Sequence, residues 1–406
     1  MQTFFSLHQL RDPALREADD ILRSCVHCGF CLPACPTYRL TGDERDSPRG
    51  RIYLMKGFLE SGQAPSSAVG PHLDRCLSCL GCMTACPSGV DYRHLIDHAR
   101  PLVRRRWGER LWRWALSVVL PRPALFRLAL LVRAPRRALS KAPKSRPIPA
   151  TGPRRMRIAL MPGCVQPVLR PEIDAAALRL LARLGAEVVT APQSGCCGAI
   201  PHHLGRPAAA RRWAKSNIAT LETLGDLDAI LITASGCGTM LKDYGHLLHD
   251  DPVWRARAAR MSALCRDLTE IVAELGLSAA GGGGLPVAVQ TPCSLQHGQN
   301  LPTGTRDLLA GAGFDVREPV DSHLCCGSAG TYSLLQPEMS ARLGRDKAAA
   351  LEATGGAVVA SGNIGCLEHL AAHGRLPVVH TAELLDWATG GPRPAGLPPS
   401  SADGAP

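Results

Sequence analysis

Cys25-Val-His-Cys28-Gly-Phe-Cys31-Leu-Pro-Ala-Cys35-Pro36 and, about 40 residues further on, Cys76-Leu-Ser-Cys79-Leu-Gly-Cys82-Met-Thr-Ala-Cys86-Pro87 repeat one spacing, CxxCxxCxxxCP. That spacing belongs to bacterial [4Fe–4S] sites: three cysteines curl around one cubane, and the fourth, redirected by its proline, reaches the cluster built on the other run. The expected ligand sets are Cys25, Cys28, Cys31 with Cys86, and Cys76, Cys79, Cys82 with Cys35. Zinc also accepts four thiolates, but typically through two CxxC knuckles, so the doubled run is more specific for clusters. Gly29, Ser78, Gly81, Ser88 and Gly89 are small enough for backbone N–H groups to approach the sulfurs, where hydrogen bonds tune the potential. His27, alone among the ligands, reads as a neighbour or surface residue. The intervening Arg51-Ile-Tyr-Leu-Met-Lys-Gly-Phe-Leu-Glu60 reads as helix.

Working outward, a second cysteine pattern occurs twice. Cys164, Cys196, Cys197 and Cys237 each have a counterpart 129 residues later, in Cys293, Cys325, Cys326 and Cys366. Gly198 and Gly327 follow the paired cysteines, and Gly236 and Gly365 precede the last of each set. Coincident spacings of this kind mark an internal duplication. Arg157-Ile-Ala-Leu-Met, Glu187-Val-Val-Thr and Asp228-Ala-Ile-Leu-Ile-Thr read as strands, with helices over 174–184 and 207–224. Short apolar strands alternating with helices predict βαβ units and a parallel sheet in each half. Cys164, Cys237, Cys293 and Cys366 fall just beyond such strands, where open α/β sheets bind ligands. These eight thiols are candidate metal ligands or a redox thiol site at the docking face for an electron acceptor; a duplicated core of small buried residues is the bland alternative. Cys265 has no mate at the same offset and reads as an inert core thiol.

The fold class expected is therefore α+β multidomain: a mostly helical dicluster ferredoxin domain over 1–99, a basic Pro/Arg-rich linker over 100–156, Cys-Cys-Gly repeats over 157–280 and 285–390, and a disordered tail over 391–406. The stretch 279–284, Ala-Ala-Gly-Gly-Gly-Gly, reads as a flexible joint between the repeats.

The chain has 406 residues, 45% of them apolar, and 17 cysteines. Its N-terminus lacks a basic region followed by an apolar stretch, the mark of a secretory leader. A chain without one is expected in the cytoplasm, where clustered thiols mean metal or redox chemistry rather than disulfides. The apolar run from Trp114 to Leu120 is far short of the ~20 residues that span a bilayer. The net charge of +11 is local: residues 100–157 hold 17 Lys/Arg against one acid, Glu109, a net of +16. Trp107, Trp112 and Trp114 interleave with those bases. Prolines at 121, 123 and 135 interrupt any long helix, and no nucleic-acid reading motif is present, so nucleic acid is not expected as a partner. An anionic membrane surface or an acidic partner is expected instead.

The Cys-Cys-Gly repeats resemble the cysteine-rich domain of heterodisulfide reductase and of iron–sulfur subunits of flavin dehydrogenases. Fused behind a dicluster ferredoxin domain, the layout over roughly residues 10–390 resembles the glycolate oxidase iron–sulfur subunit family. The resemblance rests on Cys25-Val-His-Cys-Gly-Phe-Cys, Pro48-Arg-Gly-Arg-Ile-Tyr, Ser194-Gly-Cys-Cys-Gly-Ala, Thr233-Ala-Ser-Gly-Cys-Gly, Asp321-Ser-His-Leu-Cys-Cys-Gly-Ser-Ala-Gly-Thr-Tyr and Asn363-Ile-Gly-Cys. It departs at Met240 and His369, where the reductase has a fifth cysteine. The resemblance implies an electron-transfer subunit of a flavin-dependent glycolate (2-hydroxy-acid) dehydrogenase. It implies two [4Fe–4S] clusters, further iron–sulfur in the repeats, and FAD only in partner subunits that oxidise glycolate to glyoxylate. It also implies a membrane acceptor such as quinone, reached from the cytoplasmic face of the membrane. No GxGxxG opens a helix after a strand in this chain. Alternatives are a thiol or heterodisulfide reductase using the paired cysteines, or the iron–sulfur subunit of a lactate or glycerol 3-phosphate dehydrogenase.

Overall fold

Three helices, Pro13–Ser24, Pro48–Ser61 and Tyr92–Ala99, build the N-terminal part, and side-chain caps fix where each begins. Asp12 accepts from the Ala14 N–H at 2.9 Å, Ser47 from Gly50 at 2.9 Å and Asp91 from His94 at 3.2 Å. Pro13 and Pro48 add the fixed φ that suits a first turn. The apolar faces of the helices meet at Leu22, Met55, Leu95 and Ile96, all fully buried. The first helix stops at Cys25, so the cysteine runs occupy the connections between rigid elements. The computed structural model describes residues 1–133, 148–191, 194–277 and 281–397.

Two four-stranded parallel sheets follow. β1 (Met156–Leu160), β2 (Ala186–Thr190), β3 (Ala229–Leu231) and β4 (Cys265–Arg266) lie in the order β2-β1-β3-β4. β5 (Pro286–Gln290), β6 (Asp315–Arg317), β7 (Val358–Ser361) and β8 (Val378–His380) repeat it as β6-β5-β7-β8. Register repeats too: Ile158 stands opposite Ala229, and Val287, 129 residues later, opposite Val358. The protein is thus α+β and multidomain, a helical dicluster region followed by duplicated α/β halves. Both halves share one apolar core, in which Ile158, Leu160 and Leu231 join Val287, Val289 and Val358. The helices Pro171–Arg183 and Thr381–Ala388 close it, with Arg179 and Arg183 both paired to the buried Asp386.

Two segments differ from the sequence reading. Within 281–284, read as part of a flexible joint, Gly282 N–H bonds the Ala312 carbonyl and Gly284 N–H that of Gly313, each at 2.9 Å. This is a pinned turn, because the shared core brings its two ends together; residues 278–280 lie outside the described residues. The basic segment, read as a linker, forms helices Trp107–Val119 and Pro123–Arg133, bent by 115° at the prolines. Arg105 and Arg113 anchor it to Asp74, each at 2.8 Å. Residues 134–147 and, of the tail expected to be disordered over 391–406, residues 398–406 lie outside the described residues, while Leu397 packs on the core. Among the described residues no single helix is long and apolar enough to cross a membrane.

Candidate metal centres

In each CxxCxxC run the residues two and four places after the first cysteine have left-handed backbone: His27 (φ 58°) and Gly29 (φ 88°), then Ser78 (φ 52°) and Leu80 (φ 64°). Such turns aim successive N–H groups into one concavity, the nest that holds iron–sulfur and other anionic groups. The Ser78 N–H approaches the Cys76 sulfur at 3.5 Å. Cys25, Cys28, Cys31 and Cys86 line one cavity, with Cys82 also in its wall. Cys35, Cys76, Cys79 and Cys82 line a second. Each cavity therefore receives the fourth cysteine of the other run, carried there by the turn before Pro36 or Pro87. Four soft thiolate donors over a cradle of amides fit a cubane cluster in both places. Burial pushes the Cys31 thiol up to about 11 and those of Cys79 and Cys82 well above the ordinary range. On binding a metal these thiols would give up their protons.

The two cavities differ in setting. Cys28 is exposed, and Val26 and Phe30 beside it are each 67% exposed, with Tyr53 at 66%. His27 lines this cavity with its Nε2 buried and without a hydrogen-bond partner among the described residues. The second cavity is interior and cationic. Arg51, 1% exposed, bonds the His72 carbonyl at 2.7 Å and Thr37 Oγ1 at 3.0 Å, and places Nη1 at 3.8 Å from the Cys35 sulfur. Arg100 bonds the Cys76 carbonyl at 2.7 Å and Ser78 Oγ at 2.9 Å. Burial raises the Cys76 thiol pKa, but the charges of Arg51 and Arg100 outweigh it and leave it below the usual value. Buried Asp46 pairs with Arg51 at 3.6 Å and gathers His72 at 2.8 Å and Arg75 at 3.0 Å. Sequence reasoning did not single out Arg51, Arg100 or Asp46; an arginine among the apolar positions of a short helix was the available signal.

The duplicated thiols also come together. Cys293 and Cys325 sulfurs lie 3.7 Å apart, and those of Cys326 and Cys366 3.1 Å. In the first half Cys164 faces Cys196 and Cys197 faces Cys237. Gly198 (φ 95°) and Gly327 (φ 89°) supply the left-handed turn that lets adjacent cysteines face one site. Their N–H groups each reach the first sulfur of the pair at 3.4 Å. Hydrogen bonding to Cys196 and burial raise the Cys164 thiol, and hydrogen bonding and burial likewise raise Cys197 and Cys293. At Cys326 the bond with Cys325 lowers the value, but the bond with Cys366 and burial outweigh it and leave it well above the ordinary range. Met240 is buried in the apolar core, and His369 turns Nε2 to the Ser340 carbonyl at 3.1 Å. Cys265 lies apart in β4, its thiol pushed up to about 12 by burial.

Both halves dock on the ferredoxin-like region, but differently. Cys79 of the second cavity packs with Cys293 and Cys325 beneath Leu77, Tyr332 and Leu343. Thr84 Oγ1 bonds His297 Nδ1 at 2.9 Å there, and Arg93 the Gly298 carbonyl at 3.1 Å. The first half meets it through histidines and acids. Burial lowers the His94 pKa, but hydrogen bonds to Asp243 and Asp91 outweigh it and lift it to about 10. His202 pairs with Asp97 at 2.9 Å, and Glu17 bridges His98 and His246.

Comparison with known proteins agrees with this layout. The 4Fe-4S dicluster domain family matches residues 21–90, and the cysteine-rich domain family matches 158–242 and 287–371. The chain is 42% identical to the glycolate oxidase iron-sulfur subunit of Escherichia coli, over 96% of this chain and 99% of that one. It is 34% identical to the probable glycolate oxidase iron-sulfur subunit of Bacillus subtilis, over 91% and 94% respectively. Lactate utilization protein A of an Exiguobacterium strain is 28% identical over 56% of this chain and 96% of that one. Among solved structures, a hypothetical protein from Helicobacter pylori shares the fold with a TM-score of 0.54 and 11% identity, over 95% of this chain and 74% of that one.

Proposed function

This chain belongs to the glycolate oxidase iron–sulfur subunit family, and from that premise we propose that it carries electrons from a flavin-bearing partner subunit, where glycolate becomes glyoxylate, to a membrane acceptor such as a quinone. It is an iron–sulfur electron-transfer subunit of an oxidoreductase complex. The observation that carries the finer reading is the series of thiol sites, from an open cavity at Cys28 to an interior one at Cys79 that touches the thiols of the second repeat. Bound clusters would accept and release single electrons there. The chain's residues do the rest: nests of N–H groups stabilise the anionic sulfurs, Arg51 and Arg100 favour the reduced state of the inner site, and apolar packing keeps water from it.

Exposed Val26 and Phe30 line the outer cavity, exposed Tyr53 stands edge-on to its His27, and the flavin partner docks on this apolar surface. The bent helix pair 107–133 exposes Trp107, Trp112, Trp114, Leu128 and Leu131 beside its arginines and rests on the anionic cytoplasmic leaflet. A full-length match to glycolate oxidase subunits, against 56% coverage by a lactate-utilisation relative, favours glycolate over lactate.

The test is copurification of the tagged chain under anaerobic conditions, with partners identified by mass and flavin measured. Glycolate added to the complex should produce the electron paramagnetic resonance (EPR) signals of reduced clusters. Copurification without a flavoprotein, or reduction by lactate and not by glycolate, would overturn the respective part of this reading.

A further inference from the structure

Lys347, on the helix Pro337–Glu352, is only 5% exposed. Its ammonium donates to the Ser322 carbonyl at 2.9 Å and the Asp321 carbonyl at 3.3 Å, and among the described residues no carboxylate pairs with it. The two carbonyls it bonds stand three and four residues before Cys325. The groups whose charge acts on it are the four second-half thiols, Cys326, Cys325, Cys366 and Cys293, together with Asp321, whose carboxylate pairs with Arg39 at 2.9 Å. A buried cation is tolerated only when something compensates its lost hydration, and two carbonyl dipoles do so incompletely.

The position 129 residues earlier is Ile218, buried among Ala214 and Leu221. The first half surrounds its thiols with neutral groups instead. Asn217 donates to the Cys196 carbonyl at 2.8 Å, and the Tyr244 hydroxyl to that of Cys197, also at 2.8 Å. The duplication thus kept the thiols in both halves but put Lys347 beside one set where the other half has Ile218. Two members of the set beside Lys347, Cys293 and Cys325, share one packed cluster with Cys79.

We infer that the halves are electronically unequal: Cys293, Cys325, Cys326 and Cys366 hold an anionic redox centre with Lys347 as its buried counter-cation, and this centre takes electrons from the inner ferredoxin-type site through Cys79. The inference rests on the electron-transfer reading above. One electron leaves the reduced inner cluster and enters the second-half centre; no bond forms or breaks, and Lys347 balances the added negative charge. The first half has Ile218 at the matching position and lies off this route. Lys347 is a positioning residue, acting on the potential through the thiolates.

The experiment uses the full chain, reconstituted with iron and sulfide without oxygen, with iron analysis and EPR-monitored redox titration. Cys326→Ser identifies the second-half centre by the signal and iron it removes. Lys347→Met should lower the reduced-to-oxidised ratio of that centre about tenfold at fixed potential, ~59 mV for one electron, or release its iron. Lys347→Arg should restore most of the loss, and Ile218→Met should change nothing. Unchanged potentials and iron in Lys347→Met would overturn the inference, as would a Cys326→Ser chain that loses no iron. The two ferredoxin-type signals report folding in every variant. Their failure to appear in the unmodified chain would instead sink the electron-transfer reading itself.

Discussion

Replacing Arg51 with Met should lower the reduction potential of the inner ferredoxin-type site by about 90 mV and leave the outer site near its starting value. The guanidinium is buried, with Nη1 at 3.8 Å from the Cys35 sulfur. Unit charges ~4 Å apart attract by about 4 kcal/mol at an effective dielectric of about 20. An electron added on reduction spreads over the whole cluster, so its mean distance is roughly twice that to the sulfur and the interaction falls to about 2 kcal/mol. That corresponds to about 30-fold in the reduced-to-oxidised ratio, about 90 mV for one electron. The sign is fixed: a cation stabilises the more negative, reduced state, and its removal makes reduction harder. The substitution loses the bonds to His72 and Thr37 and the 3.6 Å ion pair with Asp46, but Asp46 keeps His72 and Arg75, so no buried carboxylate is stranded. Redox titration of the reconstituted chain, followed by EPR with iron measured in each sample, reads both sites at once. Arg51→Lys, which keeps the charge, should fall between. An inner-site potential unchanged at full iron content, or both potentials falling together, would refute the reasoning.

Cys86→Ser should damage the site of Cys25, Cys28 and Cys31, whose cavity it lines, and spare the one built on its own run; spectra showing only the inner signal lost would reject the crossed ligand sets. His94, lifted to about 10 between Asp243 and Asp91 with Glu17 and His246 alongside, stabilises the contact between the ferredoxin-like region and the first half. Its folded pKa exceeds the unfolded value near 6.5, so the contribution is complete below about pH 6.5 and is lost as pH climbs toward 10. The melting-temperature gap between the parent and His94→Gln should close across that window, and a gap independent of pH would contradict it. Asp174 is buried against Gln166 and Thr233, and burial pushes its carboxyl up to about 7. Asp174→Asn should raise the melting temperature at pH 8 and not at pH 4, since only the ionised acid is penalised; equal effects at both would argue against it. Alanine at Trp107, Trp112 and Trp114 should cut flotation with anionic vesicles at least several-fold, and flotation indifferent to anionic lipid and to salt would remove the membrane proposal.

What the sequence made legible follows from how local each signal is. The cysteine runs need only a short connection and a proline, so spacing alone named the residues that line each cavity. The 129-residue offset reappears as identical strand order and register, because a duplicated βαβ unit has few ways to pack. Arg51 and Lys347 were not legible. Each sits among the buried apolar positions of its helix, where the pattern names no partner for a charge, and its meaning comes from sulfurs at least 16 residues away in the chain. The pinned turn at 281–284 escaped for a related reason: four glycines read as freedom until a shared core closes both ends on Ala312 and Gly313.

Duplication explains why the chain carries thiol sites in pairs, and divergence around them explains how such pairs acquire direction. Identical donor sets in identical surroundings would have equal affinity for an electron, and nothing would send it onward. In this protein the surroundings grade from an exposed apolar rim at Cys28, through Arg51 and Arg100 at the inner cavity, to Lys347 beside the second-half thiols. A buried cation favours the reduced state of the site next to it, so on the proposed route both interior sites hold an electron more readily than the exposed one. The first half, with Ile218, Asn217 and Tyr244 in the matching shell, kept the thiol geometry without that charge. Its contact with the ferredoxin-like region runs through His94, His202 and Glu17 instead, which makes it the clamp that holds the inner site against Cys293 and Cys325.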